Sequence, residues 1–232
     1  MRTNCFRLLC FGIAYLACSA FLGTRLLGQD YPLAKGTSWT YHLRKEVGPG
    51  VHFAGDDARV AKGNVVDTTL VAHVAGTDEI GGKTYTRVES YREGKLANVD
   101  WFALTSDGLI HPKTKDYVAG GESELNPPER LLSPGLAPQE TWTWQDSQSP
   151  RTAQTTVLSP EQIKVSAGSY RAVPVQTETS IPTEGEPVHM TLTQWFVPGI
   201  GFVKYEMRME IAGHLLMHNV ETLEKFERAP KG

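Results

Sequence analysis

The chain has 232 residues, 21% of them charged, with 23 Lys and Arg against 26 Asp and Glu, a formal charge of −3. At 40% hydrophobic it is not a disordered or low-complexity polymer, and the length suffices for one sizeable core. A mildly acidic balance argues against nucleic acid as partner, because that affinity comes mainly from neutralising phosphates.

Arg2 and Arg7 precede an uncharged apolar run of 16 residues, Leu8 to Gly23. The run falls short of the roughly 20 residues that span a bilayer. A basic start, a short apolar stretch and small residues after it form the pattern of a secretory signal peptide. Ala17-Cys18-Ser19 allows a cut before Ala20, and a second option follows Gly28, so residues 1–28 are read as a signal peptide cut somewhere between 19 and 28. The mature chain then carries no transmembrane span. Tyr15-Leu16-Ala17-Cys18 also has the form of a bacterial lipobox, with Tyr15 where leucine is usual, which makes Cys18 a candidate lipidation site. All three cysteines (Cys5, Cys10 and Cys18) lie in this leader. No disulfide, thiol nucleophile or Cys-ligated metal is therefore expected beyond it. The expected address is periplasmic or extracellular, with or without a tether through Cys18.

Residues 29–232 read as a single antiparallel β domain. Short alternating runs are separated by Gly, Pro, Asn and Asp every ten residues or so. Trp39 to Arg44 is the first predicted strand, and 45–63 reads as a long loop. Val66, Thr68, Leu70, Ala72 and Val74 alternate as one face of the next strand. Gly81-Gly82, Glu93-Gly94-Lys95 and Ser106-Asp107-Gly108 punctuate strands at Thr84 to Tyr91 and Ala97 to Leu104. Loops this short join antiparallel neighbours. Asn126 to Pro138, with four prolines, reads as a covering loop that plugs one end of the core through Leu131 and Leu132. The meander resumes at Thr141 to Trp144, Thr152 to Leu158, Gln162 to Val165, Tyr170 to Thr179 and Val188 to Val197.

The clearest strand comes near the end. Val203, Tyr205, Met207, Met209 and Ile211 alternate with Lys204, Glu206, Arg208 and Glu210. A one-residue slip would bury four charges, so its register is strongly fixed. Ala212-Gly213 then turns into a last strand, roughly Leu215 to Phe226, whose pattern is less clean and leaves a short helix open. The fold class expected is all-β: one strongly curved antiparallel sheet, a half-barrel or open barrel, mostly hairpin-connected and with little helix.

Several phrases occur together: Tyr31-Pro32-Leu33, Trp39-Thr40-Tyr41, Thr141-Trp142-Thr143-Trp144, Val165 to Val173, and Trp195-Phe196-Val197-Pro198-Gly199-Ile200-Gly201-Phe202. As a set they resemble a broad group of bacterial secreted and lipoprotein-like β proteins of unassigned role. The resemblance implies a fold similar to the LolA-like open barrel, a curved antiparallel sheet with an apolar concave face, and an envelope location. It supplies no catalytic residue to carry over.

The chemistry-bearing residues are sparse. His214 and His218 have metal-ligand spacing on a helix, but on a strand stand about 13 Å apart. No Gly-x-Ser-x-Gly is present, and Gly168-Ser169-Tyr170 reads as a hairpin turn. Asp56-Asp57 and Glu122 with Glu124 are candidate acid pairs or a weak Ca²⁺ site, without EF-hand spacing. No catalytic residue, metal or cofactor is expected. The candidate ligand face is Val203, Tyr205, Met207, Met209 and Ile211, whose methionines suit an adaptable pocket for an apolar small molecule or lipid. Three roles follow: a binding module, a structural or interaction protein of the envelope, and a hydrolase with a scattered site.

Overall fold

The computed structural model describes residues 28, 30–118 and 120–230. The expected signal peptide up to residue 27, and Cys18 with it, lies outside the described residues. Alternation of apolar and polar side chains, broken by turn residues, produces thirteen strands and one short helix. In chain order these are β1 (Ser38–Val47), α1 (Gly55–Val60), β2 (Val65–Ile80), β3 (Lys83–Arg92), β4 (Lys95–Thr105), β5 (Gly108–Asp116) and β6 (Gly121–Leu132). There follow β7 (Thr141–Gln145), β8 (Thr152–Val157), β9 (Glu161–Val165), β10 (Gly168–Ile181), β11 (Val188–Val197), β12 (Gly201–Ile211) and β13 (His214–Glu227).

All pairings are antiparallel, and the spatial order is β6-β5-β4-β3-β2-β1-β13-β12-β11-β10-β8-β7, with β9 paired on β10. Two hairpin-connected arms are therefore joined by the first and last strands. The β1–β13 ladder runs from Ser38 opposite Glu227 to Val47 opposite Met217. Two-residue hairpins such as Ala212-Gly213, with φ of 48° and 76°, have the mirror-image turn that matches strand twist. The sheet curls until its edges, β6 and β7, meet. That seam is closed by indoles, not by a backbone ladder. Trp142 Nε1 donates to the Arg130 carbonyl at 2.9 Å, and Trp144 Nε1 to the Pro127 carbonyl at 2.7 Å. The Arg130 guanidinium lies over the Trp142 ring at 4.5 Å.

Two expectations are corrected here, and the last strand is borne out. Residues 126–132 are not covering loop but part of edge strand β6. Proline is tolerated on an edge, and the ladder is irregular between His111 and Lys113, where Pro112 faces the segment that holds Pro127 and Pro128. The long loop 45–63 yields three residues to β1 and holds α1. The segment from His214 is a strand throughout, not a helix, because its residues pair on both sides with β1 and β12.

One end of the interior is filled. Trp39, Val203 and Leu223 pack with Ala172 and Val74, while Phe196, Phe202, Leu109 and Leu132 form a second cluster beside them. Each large apolar side chain buried there contributes about 2–3 kcal/mol. Tyr31, from the segment before β1, sits between the clusters, its ring 5.5 Å from Phe202 and 5.9 Å from Trp39. The sharp bend expected at Pro198 to Gly201 anchors this end. Trp39 Nε1 donates to the Ile200 carbonyl at 2.6 Å, and the Tyr41 hydroxyl to the Phe202 carbonyl at 2.9 Å. Gly201 has φ of 100°, and a Cβ there would meet Trp39 and Tyr31 at 3.3 Å, so the close approach of bend and rings requires glycine.

Candidate binding cavity

Beyond the packed end the same strands diverge around a cavity of about 1010 Å³. Its two walls differ. On β11, β12 and β13 the inner face carries Met190, Leu192, Tyr205, Met209 and Met217, continued by Leu43 and Leu70 from β1 and β2. Opposite, β3 to β6 present Ser90, Arg92, Asn98, Asp100, His111 and Glu129. Residues 51–55 and Asp57 border the far mouth.

Of the five residues expected on the ligand face, Tyr205 and Met209 line the cavity. Met207 lies between them and accepts the Tyr205 hydroxyl on its sulfur at 3.8 Å. Val203 is wholly buried in the packed end. Ile211 closes the strand opposite His214, away from the cavity. Their outward neighbours form ion pairs along the strand, Lys204 with Glu206 and Arg208 with Glu210, each at 2.6 Å. The alternation thus sorts the faces as read, but only the middle of the strand meets open space.

The remaining candidates separate. His218 faces outward beside Glu206 at 3.0 Å, and His214 is exposed. Glu122 and Glu124 sit on the outer face in ion pairs with Lys113 at 2.6 and 3.3 Å. Asp56 pairs with Arg59 on the surface. Its neighbour Asp57 turns inward from α1 and is nearly buried, between Lys45 Nζ at 2.8 Å and the Arg92 guanidinium. Breaking such a buried arrangement on one side leaves a desolvated charge, which costs several kcal/mol. Among the described residues no three His, Cys, Asp or Glu side chains are grouped to hold a metal ion.

The polar wall was not anticipated from the sequence. His111 Nε2 lies 3.0 Å from Asp100 Oδ1, and its ring stacks on Phe102 with centroids 5.0 Å apart. Asn98 donates to Asp100 and accepts from the Thr114 hydroxyl at 3.3 Å. Glu129 stands directly across the β5–β6 ladder from His111. From β13, Asn219 Nδ2 donates to Glu221 Oε1 at 3.2 Å. Burial pushes the Glu221 carboxyl up to about 7, with Asp100 adding to the rise and the Asn219 hydrogen bond and Lys45 opposing it. Burial also raises Glu129, against the pull of His111 and Arg151. The Tyr205 hydroxyl is held well above its ordinary range by burial and then by the charges of Glu221, Asp100 and Glu129. The one sequence signal for this wall is the untidy alternation of β13: Met217, Asn219, Glu221 and Leu223 share its inner face, mixing polar and apolar residues.

Chemically the arrangement offers a greasy, deformable surface facing carboxylates and hydrogen-bonding groups. The His111 imidazole bonds to the Asp100 carboxylate and, among the described residues, to no hydroxyl. The fold and cavity define a class: a nearly closed antiparallel barrel-like sheet with an amphipathic interior. Among the described residues no helix is long and apolar enough to cross a membrane.

No protein-family model matches the chain, and no curated protein matches it significantly. Two solved structures are similar over most of the fold. One is a candidate exported protein with a YmcC-like fold from Bacteroides fragilis, 14% identical, with a TM-score of 0.41 over 85% of this chain and 98% of that one. The other is a candidate lipoprotein from Parabacteroides distasonis, 12% identical, with a TM-score of 0.40 over the same shares. Neither name refers to LolA, and a likeness of this strength assigns no role to the present chain.

Proposed function

We propose that this protein is an exported, non-catalytic binding module that holds a small amphiphile or lipid inside its barrel. The observation that carries the reading is the cavity of about 1010 Å³ walled by Met190, Leu192, Met209 and Met217. That volume is the size of a typical small-molecule site. Methionine walls adapt to flexible chains. A buried alkyl chain gains about 0.8 kcal/mol per methylene before the costs of association. The basic, apolar leader with Arg2, Arg7 and Cys18 supports an envelope address.

The test is direct. Protein purified from the exported fraction is examined by native mass spectrometry, and its organic extract is analysed for amphiphiles. A releasable mass of lipid size, reduced in a Met209→Trp variant that narrows the cavity, is the expected result. Ligand-free protein that also fails to saturate with an alkyl-chain fluorescent probe overturns the reading.

A further inference from the structure

Resting on the binding role proposed above, we infer that the cavity selects amphiphiles whose head group is a protonated amine. Glu221 on β13, Glu129 on β6 and Asp100 on β4 converge on the lumen from three strands. The nearby cations have closer partners, while Lys45 acts on Glu221 and His111 and Arg151 act on Glu129 only at longer range. Lys45 and Arg92 both close on Asp57, and the Arg151 guanidinium lies over the Trp144 ring at 4.8 Å. Among the described residues Glu129 has no hydrogen-bond or ion-pair partner. Glu221 has one, the Asn219 amide.

Asn219 supplies the independent observation. It lines the cavity, is 8% exposed, and its Oδ1 has no hydrogen-bond partner. A buried acceptor left unpaired costs about 1–3 kcal/mol; this oxygen is shut off from the open lumen, and a turn of the amide toward a donor on the ligand would satisfy it. The unfilled capacity of this corner is therefore acceptor capacity: two carboxylates and an amide oxygen. An ammonium is the complementary group, with three donors, no acceptor and a positive charge. An alkyl chain attached to it would lie along Met217, next on the same face of β13, and its ladder partner Met209 on β12. A carboxylate, sulfate or phosphate head would instead meet like charge in a poorly solvated space.

Three ligands with one chain and different heads test this: decylammonium, decan-1-ol and decanoate, each titrated calorimetrically below its aggregation concentration at about pH 8. An alkylammonium stays protonated there, as lysine does. Decylammonium is expected to bind about tenfold tighter than the alcohol, as one charge-assisted hydrogen bond supplies, with decanoate weakest. In the double variant Glu129→Gln, Glu221→Gln the preference for decylammonium over decan-1-ol collapses, and an unchanged far-ultraviolet circular dichroism spectrum with a cooperative thermal transition shows that the variant is folded. Equal affinities for the three heads, a preference for decanoate, or a preference that survives the double substitution overturns the head-group inference and leaves the binding role standing. No saturable binding of any of the three overturns both.

Discussion

Three strands pass from one regime to another along their own length. β1 begins with Trp39 and Tyr41 in the packed end and continues with Leu43 and Lys45 on the cavity wall. β12 begins with Val203 in that core and continues with Tyr205 and Met209 facing open space. β13 runs the other way, from Met217, Asn219 and Glu221 to Leu223 in the core. The difference does not lie in which side of these strands turns inward, but in what stands opposite. At the packed end Tyr31 and the bend at Pro198 to Gly201 fill the centre of the barrel. At the other end the described residues leave the lumen open, with residues 51–55 and Asp57 among those that border it. Stability is therefore concentrated at one end, which leaves the other free to carry desolvated polar groups that a filled core would reject.

The comparison breaks most sharply at Trp39. Trp39→Ala should lose about 4 kcal/mol in denaturant unfolding, combining lost burial, a cavity and the bond to Ile200. Met209→Ala, on the open wall, should lose less than about 1 kcal/mol; equal losses would mean that the two ends are not energetically distinct. Next in size is Arg92→Ala, which leaves Asp57 to Lys45 alone. A loss of about 3 kcal/mol is expected, with faster hydrogen exchange confined to residues 51–60 if α1 is fastened by this contact.

Glu221 sharpens the contrast through pH. Its folded-state carboxyl sits near 7, raised by burial from 4.5. The native state therefore binds more protons than the unfolded chain between these values, and stability falls as pH rises through that window. Glu221→Gln removes this term. It should stabilise the protein by on the order of 2 kcal/mol at about pH 8 and by almost nothing near pH 4; a benefit independent of pH would place Glu221 in a solvated setting. The smallest effect belongs to the seam. Trp142→Phe removes one indole bond to Arg130 and should cost about 1 kcal/mol, read as faster exchange in β7 with β1 and β13 unchanged.

Much of this was legible beforehand. The all-β class, the hairpin turns, the first strand, and the register and outward charges of β12 follow from residue alternation. The candidate site was half legible: Tyr205 and Met209 were placed on the wall, but Val203 on the same face proved to be core. Lys45, Asp100, His111, Glu129 and Glu221 went unremarked, because a polar residue in an alternating run reads as outward unless both flanking faces are clear. Strand β6 was hidden by Pro127 and Pro128, which argue against a central strand but not against an edge.

By itself, then, the sequence determined which side of a cleanly alternating strand such as β12 turns inward, since its period-two pattern admits only one register that keeps its four charges in water. Tertiary structure alone decided that β1 would pair with β13, that indoles would join the two edges, and that one half of the interior would be filled while the other stayed open. The reason is geometric. Alternation is a local property of a few residues, whereas the distance to the opposite wall depends on how far the whole sheet curls.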